Sequence, residues 1–546
     1  MVNTTPSESA EVAATSSGLA AMGLHSIDWD QLDHAYGPAE DTPRLLETLY
    51  RSSRMQEQTD NGEKKDRDEA DKDPGRGALY ELYGSIAHQG SRYSASKAAV
   101  PFVYAILSSF RDAGAVRHRV EVVVLLGILA VGSPYFQFPT GVDTVAWRAS
   151  VAEHQTPGWA ETEEARRAAF MAEADGDDVE LRRRRIQVII MPDPDEIVKT
   201  STVELGCYDA VRDGLASVLS CLQASDLNTP NVRSEAALLL ALFPESPQAD
   251  ASEQALRQLL ARETLTSVRG TALLALGLLR KKRKDTEESP ATASIKKLLE
   301  ETYATATAKR EADSSDLDAL FEQWCSAAAL VTLLGAEEAG DAIVIDLVAP
   351  LTDETGAFEK YLPKDDKKEE GKRSAEKKES ERSEDKKEPE SFPFAAADGL
   401  DGLIGSLLAD IKGSQHPEVA RTVMGAFVKA TGYAVTELGE RLLDLVFDGQ
   451  KPPRTTAMGS KSQPQKPFAE LTPLQQEGIR TLLKVTDFGW VYSNYLSVLR
   501  DWGLPSKKDE LEAYIEGRVQ GEPEEVAKRV PDEHQKSQEE EEGQEE

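Results

Sequence analysis

Val232-Arg233-Ser234-Glu235-Ala236-Ala237-Leu238-Leu239-Leu240-Ala241-Leu242 reappears 36 residues later as Val268-Arg269-Gly270-Thr271-Ala272-Leu273-Leu274-Ala275-Leu276-Gly277-Leu278-Leu279. A looser copy lies upstream as Val116-Arg117-His118-Arg119-Val120-Glu121-Val122-Val123-Val124-Leu125-Leu126-Gly127. A segment apolar on nearly every side, such as Ala236 to Phe243, is a helix buried by neighbours all round. A repeat of this period denotes one supersecondary unit that cannot bury its apolar face alone and must stack on copies of itself. The reading is an all-α chain built as an α-solenoid, in which each buried inner helix is paired with an amphipathic outer one.

Outer faces are visible beside the inner helices. Val211, Leu215, Val218, Leu219 and Leu222 recur at helical spacing from Tyr208 onward, and Ala255, Leu256, Leu259 and Leu260 supply the next face. Further helices are expected at 42–51, 78–87, 98–110, 163–174, 293–307, 317–334 and 339–348. Pro101 is assigned to the first turn of the third of these, where a missing N–H does no harm. The pattern returns at 400–412, 416–431, 435–447, 471–484, 490–502 and 509–519.

Between these stretches lie segments that cannot fund a core. Residues 1–25 read as a disordered leader, and 52–77 as a charged insertion with no apolar face to bury. Residues 133–160 read as a long aromatic loop, punctuated by Pro134, Pro139, Gly141, Pro157 and Gly158. Residues 351–394 read as a disordered linker whose Lys, Arg, Asp and Glu nearly balance, and 520–546 as an acidic disordered tail. The solenoid is accordingly assigned to 26–350, with 395–519 a helical segment continuing it.

The 546 residues carry 96 acidic and 63 basic side chains, for a net charge of -33. Nucleic-acid affinity is driven by cationic contacts and counterion release, so no nucleic-acid partner is expected. No run of about 18 apolar residues is free of charge, and no membrane span is expected. Cys207, Cys221 and Cys325 are odd in number and widely spaced, which predicts neither a disulfide framework nor a zinc site. No metal or cofactor is expected, and a reducing, cytoplasmic location fits. If the source is eukaryotic, Arg280-Lys281-Lys282-Arg283-Lys284 has the composition of a nuclear-import signal, although cations also suit a helix carboxyl end. Arg182 to Arg185 form the other basic cluster.

Trp29-Asp30-Gln31-Leu32-Asp33-His34-Ala35-Tyr36-Gly37-Pro38-Ala39 and Leu82-Tyr83-Gly84-Ser85-Ile86-Ala87-His88-Gln89-Gly90-Ser91-Arg92-Tyr93, together with the V-R-x-x-A copies, resemble HEAT-repeat (armadillo-like) proteins, in particular uncharacterised bacterial ones. The resemblance covers about Trp29 to Val348 and, more weakly, Leu400 to Phe447. It implies an armadillo-like solenoid in which the repeated arginine packs at the turn between repeats. It also implies, as an alternative role, an immunity-type inhibitor that binds a basic protein.

Arg233 and Arg269 occupy one position of successive repeats and are expected to be structural, donating to carbonyls or carboxylates across the repeat. Tyr83, His88, Gln89 and Tyr93 gather polar tips around a turn, either as a small-ligand site or as partners for exposed helix ends. Tyr135, Phe136, Phe138, Trp147 and Trp159, with His154, either present a binding surface, because aromatics anchor interfaces, or fold back as a private core. No catalytic residues are assigned, because no nucleophile stands beside a base and no P-loop, G-x-S-x-G or dinucleotide fingerprint occurs. The expected function is a noncatalytic protein-binding scaffold or adaptor that uses the concave face and the aromatic loop, with a basic protein surface as the favoured partner. The other class is a lyase-like HEAT-repeat enzyme with a small-molecule pocket near His88. Oligomeric state is not specified by the sequence.

Overall fold

The computed structural model describes residues 18–54, 73–111, 116–172, 188, 191–283, 289–352, 358–361, 392–395, 399–430, 434–452, 465–485 and 493–518. These are mostly helical, and a two-residue hairpin, Asp33–His34 paired antiparallel with Gly37–Pro38, is the sole named sheet among them. The chain divides into two compact units, residues 1–160 with 194–411 and residues 161–193 with 412–546.

In chain order the first unit holds α1 (Thr42–Ser52), α2 (Pro74–Ser85), α3 (Ser94–Ser109), α4 (Val116–Val131) and α5 (Thr144–His154). The helix α6 (Trp159–Ala172) crosses the division between units. The first unit resumes with α7 (Pro194–Asp213), α8 (Leu215–Cys221), α9 (Pro230–Ala241), α10 (Ala249–Arg262), α11 (Thr266–Lys282), α12 (Pro290–Ala312) and α13 (Leu317–Leu334). Two short pieces, α14 (Ala336–Ala339) and α15 (Asp341–Asp346), and α16 (Gly399–Leu407) complete it.

The three copies of the repeated sequence become α4, α9 and α11, and they lie in a row. α4 packs on α9, α9 on α11, and α11 on α13, while α2 packs on the near side of α4. Second helices flank the row: α3 and α7 lie on α4, α8 and α10 on α9, α10 and α12 on α11, and α12 on α13. The burial follows the sequence, since Ala236 to Phe243 and Ala272 to Leu276 are all buried. α13 is long and apolar enough by length and composition to cross a membrane, yet most of it is buried as the end of this row.

Local chemistry sets the helix starts. Pro230 opens α9 and Pro290 opens α12, where a missing N–H goes unused. Asp316 accepts from Ala319 N–H at 2.9 Å at the head of α13, and Gly335 ends that helix at φ 86°. α11 and α13 approach closely because Gly270 and Gly277 share a face of α11. A Cβ on Gly277 would stand 2.8 Å from the Ala329 carbonyl oxygen, and one on Gly270 2.6 Å from Cys325 Sγ.

The structure changes five sequence expectations. The expected loop over 133–160 contains α5, because Asp143 caps it through Ala146 N–H at 2.9 Å and no Gly or Pro interrupts residues 144–154. Within the expected leader, Leu19 and Leu24 are buried, and Trp29 Nε1 donates to the Leu24 carbonyl at 2.9 Å. The expected charged insertion ends early, since Asp73 caps α2 through Gly75 N–H at 2.9 Å. Pro101 sits in the interior of α3 rather than its first turn, because that helix begins at Ser94. Within the expected linker, Phe358, Tyr361, Phe392 and Phe394 are buried, with Tyr361 stacked on Phe321 of α13 at 4.0 Å. Phe358, Tyr361 and Phe392 pack on Phe321 or Trp324 of α13, apolar rings that would otherwise meet water, and Phe394 joins Phe392 to Phe138. Residues 1–17, 55–72, 353–357, 362–391 and 519–546 lie outside the described residues, as do Arg182 to Arg185.

The segment expected to continue the first set of helices is divided: α16 belongs to the first unit and residues from Lys412 onward to the second. That second unit contains α17 (Pro417–Lys429), α18 (Ala434–Val446), α19 (Pro473–Leu482), α20 (Ser493–Asp501) and α21 (Lys508–Ile515). α17 and α18 pack as a pair, α19 lies on both, and α20 lies on α18. Its core includes Phe427 beside Tyr495 at 6.0 Å and Trp502 beside Phe447 at 5.4 Å.

Candidate functional site

The repeated arginines are tied to the segments around them, Arg233 buried and Arg269 half-buried. Arg233 pairs with Glu263 at 2.7 Å and donates to the Asn228 carbonyl at 2.6 Å. Arg269 pairs with Glu322 of α13 at 2.5 Å and donates to the Leu260 and Glu263 carbonyls at 2.7 and 3.2 Å. Each therefore satisfies carbonyls at the end of the preceding segment, groups that a helix leaves without partners. In α4 that position belongs to Arg119, which is buried and donates to the Leu107 carbonyl at 3.1 Å. Arg117 is exposed, with only Glu121 nearby at 3.7 Å. The first copy is thus shifted by two residues from the alignment on Val116-Arg117, because burial of the guanidinium, rather than the Val-Arg pair, defines the register.

Residues expected to cluster around the turn after α2 separate in the structure. Tyr83 points to α4, where its hydroxyl donates to the Glu121 carbonyl at 2.5 Å. His88 lies edge-on to Tyr36, with Nδ1 3.4 Å from the Tyr36 hydroxyl. Gln89 is exposed and takes a left-handed backbone at φ 50°. Tyr93 precedes α3, and its N–H donates to Ser96 Oγ at 2.7 Å. The turn itself is a fastening: Arg92 donates to the Gly90 carbonyl at 2.8 Å and pairs with Glu204 of α7 at 3.2 Å. Gly132, at φ 79°, lets the end of α4 meet this turn, since a Cβ there would lie 2.5 Å from the Gly90 oxygen.

The aromatics of 133–160 disperse in the same way. Phe138 is buried against Phe394 at 4.8 Å, and Trp147 lies edge-on to Tyr208 at 5.5 Å. Trp159 covers His154 at 4.5 Å, and His154 Nδ1 is 3.2 Å from Ser201 Oγ. Phe136 alone among the five is largely exposed, at 57%. Of the basic cluster after Leu279, Arg280 is buried and donates to Thr292 Oγ1 at 2.9 Å, Lys281 donates to the Pro139 carbonyl at 3.2 Å, and Arg283 contacts Asp250 and Glu253. Lys284 lies outside the described residues.

Tyr83 and Tyr135, assigned to different groups by the sequence, both feel the charge of Glu235, a residue that sequence reasoning passed over. Glu235, on α9, is 8% exposed and forms no ion pair or hydrogen bond among the described residues. Burial pushes its carboxyl up to about 8. The hydroxyls of Tyr83 and Tyr135 are both raised, first by burial and then by charge that includes Glu235. The signal was present in the sequence: an acid in the middle of an apolar helical run must find a partner or keep its proton, and this one has no partner among the described residues. The buried carboxyls of Glu263 and Glu322, by contrast, hold Arg233 and Arg269.

A second buried ionisable group ties α4 to α2. His118 Nε2 lies 2.8 Å from Asp73, the α2 cap, and its Nδ1 3.6 Å from Glu121. Its pKa is raised, by Glu121 first and also by Asp73, against the opposing effect of burial. Among the described residues no group of three or more His, Cys, Asp or Glu is placed to hold a metal ion.

Comparison with family models, with curated proteins and with solved structures finds no match to this chain, so the reading of its site rests on the residues themselves.

Proposed function

We propose that the first unit is a HEAT-like α-solenoid and that the chain works as a noncatalytic binding scaffold for a protein partner. The observation that carries this is the row α4, α9, α11 and α13, each beside the next and each flanked by a second helix. A row of stacked helix pairs grows in one direction and offers an extended surface along its inner helices, which is the usual means by which such proteins hold long partners. The net charge of -33 favours a partner with a basic face, whose encounter the field would accelerate. Phe136 supports a role for the 133–160 segment, because a large aromatic left exposed beside buried ones is available as an anchor.

The test is cross-linking mass spectrometry on the full chain with a captured partner, repeated with Phe136→Asp and with Trp147→Ala plus Trp159→Ala. The reading expects cross-links concentrated on the inner helices and affinity that falls with added salt. Cross-links confined to the second unit would refute it. Equal recovery by the aromatic variants at unchanged melting temperature would remove the 133–160 segment from the surface.

A further inference from the structure

We infer that Phe392-Pro393-Phe394-Ala395 is a built-in occupant of the helical row, a latch that a partner displaces by presenting a short segment of two aromatics around a proline. The inference rests on the scaffold reading for the role of the inner helices, and deepens it by naming where on them a partner docks and with what chemistry. An open row of helix pairs should leave a stripe of each inner helix in water. Here none is left: residues 232–241 of α9, 271–280 of α11 and 321–333 of α13 contain no exposed position. The latch helps to close that face. Phe392 is fully buried, with its ring 5.1 Å from Phe321 and 6.2 Å from Trp324 of α13. The turn Pro393–Ala395 packs on α9 and on Pro134–Gln137, and Phe394 meets Phe138 at 4.8 Å. Since α9 and α13 both pack on α11, these four residues span the row from one side of α11 to the other.

What holds the latch distinguishes it from a fixed part of the core. The neighbouring anchor, Glu359–Tyr361, is tied by polar contacts: Lys360 lies 2.9 Å from Asp318, and the Tyr361 hydroxyl donates to the same carboxylate. Among the described residues the latch has one hydrogen bond beyond its own turn, from Phe392 N–H to the Tyr361 carbonyl at 3.2 Å, and none to a helix of the row. Its seat is therefore made by two apolar rings, whose burial is set against the ordering of four residues; terms of similar size leave a small net hold. A contact of that kind opens without unfolding the helices beneath it. Opening leaves Phe321, Trp324 and Phe138 partly uncovered, and aromatic side chains from a partner restore the lost burial. Pro393 supplies the rest of the chemistry, because it fixes the backbone between the rings, and a competing segment built the same way loses little freedom on seating. Phe136, exposed in the turn against which the latch packs, marks the accessible rim.

The probe is a fluorescein-labelled capped peptide, Glu-Ser-Phe-Pro-Phe-Ala-Ala, the sequence of residues 390–396, with Glu-Ser-Ala-Pro-Ala-Ala-Ala as control, titrated against the full-length chain by fluorescence anisotropy. It should bind the double variant Phe392→Ala/Phe394→Ala saturably and at least about tenfold more tightly than the unaltered chain, where the tethered copy competes at an effective concentration on the order of millimolar. Equal affinity for the two chains, control binding as tight as the probe, or no binding to a double variant whose melting curve is intact overturns the latch. Should the double variant fail to fold, Pro393→Cys decides, because it keeps both rings and places a buried thiol in the latch, with the three buried native cysteines as internal references. That thiol should react with Ellman's reagent at least about tenfold faster than the other three, and reaction of all four in a single phase overturns the latch. A partner that cross-links to the inner helices equally in the unaltered and double-variant chains would remove the latch and leave the scaffold. Probe binding as expected, with partner cross-links confined to the second unit, would do the reverse, so the two failures are separable.

Discussion

Gly277→Ala tests the packing of the helical row most directly, because two effects of opposite sign meet at one atom. In an ordinary helix interior the substitution stabilises by about 0.8–1 kcal/mol, since alanine loses less conformational freedom than glycine. At this position the added Cβ would lie 2.8 Å from the Ala329 oxygen, 3.2 Å from Ala329 Cα and 3.3 Å from Ala329 carbonyl carbon. All three are backbone atoms of a buried helix, so relief requires α11 and α13 to separate rather than one side chain to rotate. Overpacking of this kind costs about 1–3 kcal/mol, and a backbone obstacle places the cost in the upper part of that range. The expected net loss is about 1–2 kcal/mol. Gly77→Ala, in α2, is the control: nothing lies within 4 Å of its added Cβ, and a gain of about 0.5–1 kcal/mol is expected. Urea denaturation of the full chain, followed by circular dichroism, compares the two. If Gly277→Ala proves as stabilising as Gly77→Ala, the helices do not approach as described and the argument for the row fails with it.

Other consequences follow from the buried charges. Arg119→Ala should destabilise by about 2 kcal/mol or more, because it strands a buried carbonyl, whereas Arg117→Ala should change stability by less than about 0.5 kcal/mol; equal effects in urea melts would return the repeat register to Arg117. Glu235 has a folded pKa raised to about 8, so it contributes a stability that is whole below about pH 4.3 and is lost as pH rises toward 8. Glu235→Gln should therefore stabilise increasingly over that window, by on the order of 5 kcal/mol near pH 8, and a pH-independent difference in melting temperature would contradict an unpaired acid. His118 has the same sign: its folded pKa is raised, so its pairing with Glu121 and Asp73 stabilises fully below about pH 6.5 and weakens as pH climbs through the folded value. His118→Asn should lose that slope, which paired melts on either side of neutrality would detect.

The helices were legible because their information is local. Leu317–Leu334 appears as the apolar run indicates, and Thr42–Ser52 and Pro417–Lys429 differ from their sequence readings by a residue or two at the ends. α5 was hidden because Pro139, Gly141, Pro157 and Gly158 flank it on both sides, and punctuation of that density resembles a loop even when eleven residues between are helical. The aromatic pairings were illegible for a different reason. Which ring meets Phe138, Trp147 or Trp159 depends on residues as distant as Phe394, and no periodicity carries that pairing.

By itself the sequence determined a mostly helical chain with a recurring apolar helical segment, an acidic balance of charge and arginines that recur at one place in that segment. Tertiary structure alone decided that Arg119 rather than Arg117 continues their series, that the first unit extends to Ile411, and that Glu235 is buried without a partner among the described residues. The physical reason is one of range. Helix formation is governed by neighbours three and four residues away, which the sequence displays directly, while the environment of a buried charge is assembled from helices more than a hundred residues apart and exists only once they have packed.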